Sequence, residues 1–563
     1  MALAVLIHMV VSSLVAIVLG LAFGRMNPVI ALASLQLGFI AGFLAWLRFR
    51  KENSFFQAVN LTTGLFYGFV IFAGIQHFLY LLYYDQNGLK TLHLNNFGDL
   101  SMHIQYIRYL ASARFWPQDP GFAGTPLRYP LGIDLYNALW ESLGVPTDSH
   151  LFVVGVAMTV VTVVMLHRWM AWWGVGAFFL NGGLSNWRCI LSGRMFDFQN
   201  EVAWKNFFLS LWITQRGFLF ALPAGIYVIK MVMEALLGER SLSRDEKIAC
   251  SLLWSALAWF HLHTFFIISL ALGICIVLYK KVRPMLGILI PVASVGFIFV
   301  LFSTDAFSMS GVLHIHWGWV AGGENFIRFW FVNLGAWIVI WAVGVFLLFR
   351  KRYSGFRPAA AVFFILFFVF TFVMVAPWDW DNIKILLWLY LLLAWLVWRI
   401  WVVRLPAWAA VLVSCAVFFS GAISVVSSLP GNSPGVQLYQ ASETWESKAA
   451  LMDLPDDAVL AVAPDPNHPA MFWGAKVAMT YPGHIWSHGI DASERERKLD
   501  EVFKGGKDWL SYARNIGITH IYWGNNEEIK YGISDQPWRR LKNVSRSEKI
   551  QVYDLRGSPD KSG

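Results

Sequence analysis

Charge and cysteine are both scarce in this chain. Only 14% of its 563 residues are Asp, Glu, Lys or Arg, and only four are Cys. Cys250, Cys275 and Cys415 fall within apolar runs and Cys189 stands alone in a loop, so neither a disulfide framework nor a zinc site follows. The N-terminal "MALAVLIHMVVSSLVAIVLGLAFGR" has no basic leader and no A-x-A cleavage pattern, which makes it a retained first span rather than a removed signal. No internal repeat or low-complexity tract occurs. A net charge of +9 would suggest nucleic acid as the partner of a soluble protein. Here the Lys and Arg sit in short loops between apolar runs, where they are topology signals, and no nucleic-acid partner is expected.

What fills the chain instead is apolar sequence, 57% hydrophobic and 16% aromatic, in runs of about 20 residues that match a bilayer-crossing helix. The runs predict an α-helical polytopic membrane protein with about thirteen transmembrane helices, among them 150–167, 169–186, 206–237, 248–261, 263–279 and 329–349. Basic loops alternate with the others. Arg48, Arg50 and Lys51, then Arg168, Arg240, Lys280, Arg350 and Arg404 fall on one side, which the positive-inside rule makes cytoplasmic along with the N-terminus. The loop 84–149, the turn "FHLH" at 260–263, "PWDWDN" at 377–382 and everything after residue 428 fall on the other.

Composition changes at "SSLPGNSPG", where Pro, Gly and Ser mark a linker at 428–435. Beyond the transmembrane region 1–427, residues 436–563 form an expected small extracytoplasmic α/β domain. In it "AVLAVAP" and "THIYWG" read as strands, and "SERERKLDEVF" and "KDWLSYARNIG" as helices.

Chemistry-bearing residues concentrate on the non-basic side. In the long loop, Leu100, Ile104, Ile107 and Ala111 recur at helical spacing with Gln105, Arg108 and Ser112 opposite, the pattern of a helix lying in the membrane interface. Asp99 and His103 are one turn apart at its head; either they share a face, or Asp99 caps the helix. His261 and His263 lie at a turn between apolar segments, as solvated boundary residues or as substrate contacts. Asp379, Asp381, Asn382 and Lys384 gather at the head of an apolar helix; the three oxygen-bearing groups either form an acidic loop or hold Mg²⁺ or Mn²⁺. Gln215 and Arg216 interrupt an apolar run. An arginine at such depth serves an internal ion pair or clamps an anion, and guanidinium matches phosphate oxygens.

The segments "GDLSMHIQYIRYLASARFWP" and "GTPLRYPLGIDLYNALW", followed by "FHLHTF" and "PWDWDN", resemble the GT-C superfamily of polytopic glycosyltransferases over residues 58 to 403. The resemblance implies a polyprenyl-phosphate-linked sugar as donor, an extracytoplasmic glycan, lipid or protein as acceptor, and the bacterial cytoplasmic membrane as location. It makes Asp99 the general base; the residues themselves then offer His103 beside it, Arg216 and Lys384 as donor-phosphate ligands, Asp379, Asp381 and Asn382 as a metal or donor site, and Arg128, His261 and His263 as substrate contacts. Two departures stand out: the loop follows the third expected span rather than the first, and Asp99 has only Asn95, Asn96 and His103 beside it instead of a second acid. The tail segment "YPGHIWSHGIDASERERK" is similar to extracytoplasmic tails of bacterial envelope proteins; His484 and His488 are expected at an acceptor saccharide, with Trp486 stacked on a sugar ring or merely packed. A flippase for a lipid-linked saccharide and a non-catalytic membrane scaffold are the competing classes.

Overall fold

The computed structural model describes residues 1–50, 59–187, 190, 192, 202–304, 313–532 and 535–557; Lys51 and Cys189 lie outside them. Among the described residues fifteen α-helices precede the C-terminal segment. They are α1 (Ala2–Phe23), α2 (Pro28–Phe49), α3 (Leu61–Leu79), α4 (Asp99–Leu110), α5 (Gly132–Ser142), α6 (Thr147–Phe179), α7 (Phe218–Leu236), α8 (Arg244–Phe260), α9 (Leu262–Leu278), α10 (Val282–Ser303), α11 (Phe326–Leu334), α12 (Trp337–Leu348), α13 (Arg357–Val369), α14 (Ile383–Ile400) and α15 (Ala407–Ser427). Local sequence sets their starts. Asn27 accepts from the amides of Val29 and Ile30 ahead of Pro28, Asn60 accepts from Thr63, and Ser243 with Glu246 forms a capping box, each satisfying backbone donors that a helix start leaves open. α1 and α2 pack tightly because Gly38 and Gly42 let the backbones meet: a Cβ at Gly38 would lie 2.0 Å from Ser12 Oγ, and one at Gly42 would lie 2.7 Å from the Ala4 carbonyl oxygen.

Among the described residues nine helices are long and apolar enough to cross a membrane, or ten if α11 and α12, bent by 94°, count as one span. The chain is thus an α-helical polytopic membrane protein, with fewer such helices than the thirteen expected from hydropathy. Part of the difference is length, since α8 and α9 have only 17 residues each, and part comes from breaks that apolar composition conceals. Ala171 adopts φ 51°, and a Cβ at Gly174 would lie 2.9 Å from the carbonyl oxygen of Leu166; along a straight helix those positions are about 12 Å apart. The chain therefore doubles back, and the leg 172–179, about 12 Å long, is no crossing of a core about 30 Å thick. The run expected as one span at 206–237 is likewise interrupted, by a π-helical turn Phe208–Trp212 and irregular residues ahead of α7. Asn181 and Asn206 supply the missing backbone partners: Phe207 N–H donates to Asn181 Oδ1, and Asn206 Nδ2 donates to the carbonyls of Phe179 and Asn181.

Ion pairs lie at both ends of the bundle. Arg48 pairs with Asp245 and Arg399 with Glu239 at one end, while Arg25 pairs with Asp456 at the other.

Residues after 428 are bound into the loop rather than hung from it. Strand β3 (Val436–Gln440) pairs antiparallel with β2 (Gly88–Thr91), itself paired with β1 (Tyr83–Tyr84). Another sheet joins β4 (Leu460–Ala461) parallel to β5 (His520–Trp523), and β5 antiparallel to β6 (Gln551–Asp554). The strands Leu460–Ala461 and His520–Trp523 and the helices Ser493–Lys504 and Trp509–Asn515 fall where the sequence suggests, and the strand Gln551–Asp554 is an addition to that reading. The C-terminal segment also changes the character of α4. Instead of lying half-solvated in an interface, α4 is buried on both faces. Ser101 Oγ donates to Asn467 Oδ1 at 2.5 Å, Gln105 Nε2 to the Ala475 carbonyl at 2.8 Å, and Arg108 Nη1 to the Phe472 carbonyl at 2.6 Å. Polar groups that hydropathy assigns to water have found protein partners.

Candidate functional site

Asp99 opens α4, but the cap position belongs to Gly98, whose φ of 90° suits a residue without a side chain. The carboxylate of Asp99 instead accepts from Gln215 Nε2 at 3.4 Å. That contact brings the broken stretch ahead of α7 against the head of α4. The next residue, Arg216, is 1% exposed, and none of its three guanidinium nitrogens has a hydrogen-bond partner in the protein. Asp134, on α5, is within electrostatic reach of that guanidinium. It is fully buried; its Oδ2 accepts from His103 Nδ1 at 2.8 Å, while its Oδ1 has no partner. With Nδ1 taken up by Asp134, Nε2 is the ring nitrogen of His103 left for another partner.

Tyr129 sits at the centre of these groups. Its ring lies 5.9 Å from His103, 5.4 Å from Tyr106 and 5.1 Å from His488. Burial first, then the carboxylates of Asp134, Asp99 and Asp381, hold its phenol far above the ordinary value, so it remains a hydroxyl donor. The helix Pro482–Ser487 of the C-terminal segment closes another side. Burial lowers His484 despite the opposing pull of Asp99, and burial with the charges of His484 and His103 takes His488 down to about 3. Both rings are neutral at pH 7. A Cβ on Gly98 would lie 3.6 Å from His484 Nε2.

The loop before α14 contributes selectively. Lys384 Nζ pairs with Asp381 Oδ2 at 3.1 Å, and both act electrostatically on His263. Trp378, 52% exposed, lies 5.9 Å from Trp486, 48% exposed, leaving two open aromatic faces beside the histidines. Asp379 turns away: His314 and His316 occupy its two oxygens, and Trp319 Nε1 donates to its carbonyl at 2.7 Å. Asn382 is a buried strut whose Oδ1 accepts from Val375 N–H and whose Nδ2 donates to the carbonyls of Phe370 and Val373. The three oxygen-bearing groups expected to share Mg²⁺ or Mn²⁺ thus serve three separate partners. Among the described residues no three His, Cys, Asp or Glu side chains are arranged to hold a metal ion.

His261 is also structural, accepting from the Thr264 amide at 3.2 Å as the cap of α9. Arg128 is exposed, next in sequence to Tyr129. Asp99, His103 and His488 are therefore gathered around Tyr129, with Asp381 and its partner Lys384 at the edge; His484 lies by Asp99 and His103, Arg216 is linked to the group through Asp134, and Trp486 stands by Trp378. The sequence reading missed Tyr129, Asp134 and the His314/His316 clip, and it noted Gln215 without anticipating its contact with Asp99. "HIHW" in an acid-side loop and the acid of "GIDLYN" in the same loop as Asp99 were the available signals.

Compared with known proteins, the chain matches no family model and no curated protein sequence.

Proposed function

We propose that the chain is a membrane glycosyltransferase of the GT-C kind, acting at the outer face of the bacterial cytoplasmic membrane. It moves a sugar from a polyprenyl-phosphate-linked donor to an extracytoplasmic glycan, lipid or protein. The observation that carries this reading is the buried, wholly unpartnered guanidinium of Arg216. A buried cation without hydrogen bonds costs several kcal/mol, and an anion with several acceptor oxygens, such as a lipid phosphate, meets that need bidentately. In the reaction Asp99 accepts the proton of the attacking acceptor hydroxyl. The hydroxyl oxygen bonds to the anomeric carbon, the bond from that carbon to the phosphate oxygen breaks, and the phosphate leaves with the electron pair, stabilised by Arg216. Attack opposite the leaving group inverts the anomeric centre. Gln215 orients Asp99, the Asp134–His103 pair and Tyr129 line the acceptor side, and the Trp378–Trp486 wall offers apolar faces to a sugar ring. No metal is required by this scheme.

Transport of a lipid-linked saccharide is the second reading, supported by the helix breaks at Ala171 and ahead of α7 and by the 94° bend between α11 and α12, since discontinuous helices are common in transporters.

A structure of the full chain in lipid with a polyprenyl phosphate bound tests the reading. Phosphate oxygens are expected about 3 Å from the Arg216 nitrogens; a phosphate bound away from Arg216 overturns it.

A further inference from the structure

The end of the bundle opposite this site holds a second unassigned feature. α14 runs from Lys384 at the candidate site to Arg399, about 22 Å along its axis. There, at the foot of α14, a cavity of about 420 Å³ is lined by Arg352, Tyr353, Trp398, Arg399, Arg404 and Glu239. Three arginines face one acid, and Arg399 already pairs with that acid. Arg404 Nη1 donates to the carbonyls of Arg399 and Ile400 at 2.7 and 2.8 Å, ending the helix. Arg352 has no carboxylate partner among the described residues; its guanidinium carbon lies 4.6 Å from the Tyr353 ring centre, with that of Arg404 5.6 Å from the same ring. Tyr353 is only 3% exposed, yet its hydroxyl has no hydrogen-bond partner.

We infer that this cavity binds the phosphate of an anionic membrane lipid headgroup. The donors are a guanidinium free of acids and a buried hydroxyl, on a floor of aromatic rings, and Arg suits phosphate oxygens in a way that a point charge does not. The source is a lipid because the cavity lies where apolar helices α12, α13 and α14 end, the level at which headgroups meet a protein. Basic pockets of this kind between membrane helices take anionic headgroups. The Arg399–Glu239 pair keeps the third arginine oriented without consuming the other two. This site is separate from the one around Tyr129 and does not depend on its chemistry.

The test uses the full chain purified in neutral detergent, with thermal unfolding followed on addition of phosphatidylglycerol, phosphatidylcholine or inorganic phosphate. Phosphatidylglycerol is expected to raise the midpoint by several degrees and the other two to leave it unchanged. Arg352→Gln, at an exposed side chain, and Tyr353→Phe, which keeps the ring, are each expected to unfold at the wild-type temperature without lipid and to weaken the phosphatidylglycerol response at least tenfold in concentration. An equal response to phosphatidylcholine, a full response to inorganic phosphate, or an undiminished response in both variants overturns the assignment.

Discussion

Gln215 Nε2 lies 3.4 Å from Asp99 Oδ2, across 116 positions of sequence. The contact joins the only carboxylate at the head of α4 to the break that buries Arg216. Asp99 is thereby tied to the residue next to Arg216, a buried guanidinium that makes no hydrogen bond, and the consequences of that arrangement are open to measurement.

Arg216→Met should separate stability from function. Removing a buried guanidinium that makes no hydrogen bond relieves a desolvation penalty that the nearby Asp134 offsets only in part, so the ligand-free variant is expected to unfold at about the wild-type temperature or above. Sugar transfer should fall by about 10² to 10³, the usual loss when one oxyanion-stabilising group is removed. Scanning fluorimetry beside a transfer assay checks both; a lower midpoint with retained transfer contradicts the assignment.

Stability should decline on acidification through His488. In the unfolded chain an imidazole takes up a proton below about 6.5. The folded ring, held down to about 3 by burial and by His484 and His103, does not. Between those values the unfolded state binds more protons, so falling pH favours unfolding. The slope is less than about 1.4 kcal/mol per pH unit, since part of the ring is solvated. His488→Phe keeps the contact with Tyr129 and should flatten the unfolding midpoint plotted against pH from 6.5 to 4.

Gly98→Ala should loosen the C-terminal segment. The new Cβ would meet Pro466 Cβ at 3.2 Å in a backbone conformation of φ 90°, a cost of about 1 to 3 kcal/mol. Faster proteolytic cleavage between residues 436 and 557, with the membrane part still intact, is the expected outcome.

Trp486→Ala should act on the acceptor. Its ring and that of Trp378 are half-exposed and 5.9 Å apart, outside the Asp99–Arg216 space. The KM for a saccharide acceptor is expected to rise about tenfold with donor KM and unfolding temperature unchanged, which a steady-state titration of each substrate resolves.

Much of this architecture was legible in composition and charge. Apolar runs announced the membrane helices, and the alternation of basic loops set Arg48 and Arg404 apart from Asp99 and Trp486. Arg216 was conspicuous because an arginine within apolar sequence demands a reason. The breaks were not legible, since hydropathy averages over Ala171 and over 213–217 without registering backbone direction. Nor was the role of Asp379, whose partners His314 and His316 lie more than sixty positions earlier. The amphipathic pattern of α4 was real but its meaning was not: the polar face that suggested water is covered by Asn467, Phe472 and Ala475, contacts set by tertiary folding alone.

The central claim is that Asp99 removes the acceptor proton. Its most direct test is sugar transfer from a labelled polyprenyl-phosphate donor by the full chain in liposomes, wild type against Asp99→Asn, with donor binding measured alongside. The amide keeps the contact with Gln215 available and removes the base. Transfer is expected to drop by about 10² to 10⁴ while the variant inserts, unfolds at the wild-type temperature and still binds donor. Wild-type transfer in Asp99→Asn, or movement of intact donor across the bilayer with no transfer in either protein, would contradict the account.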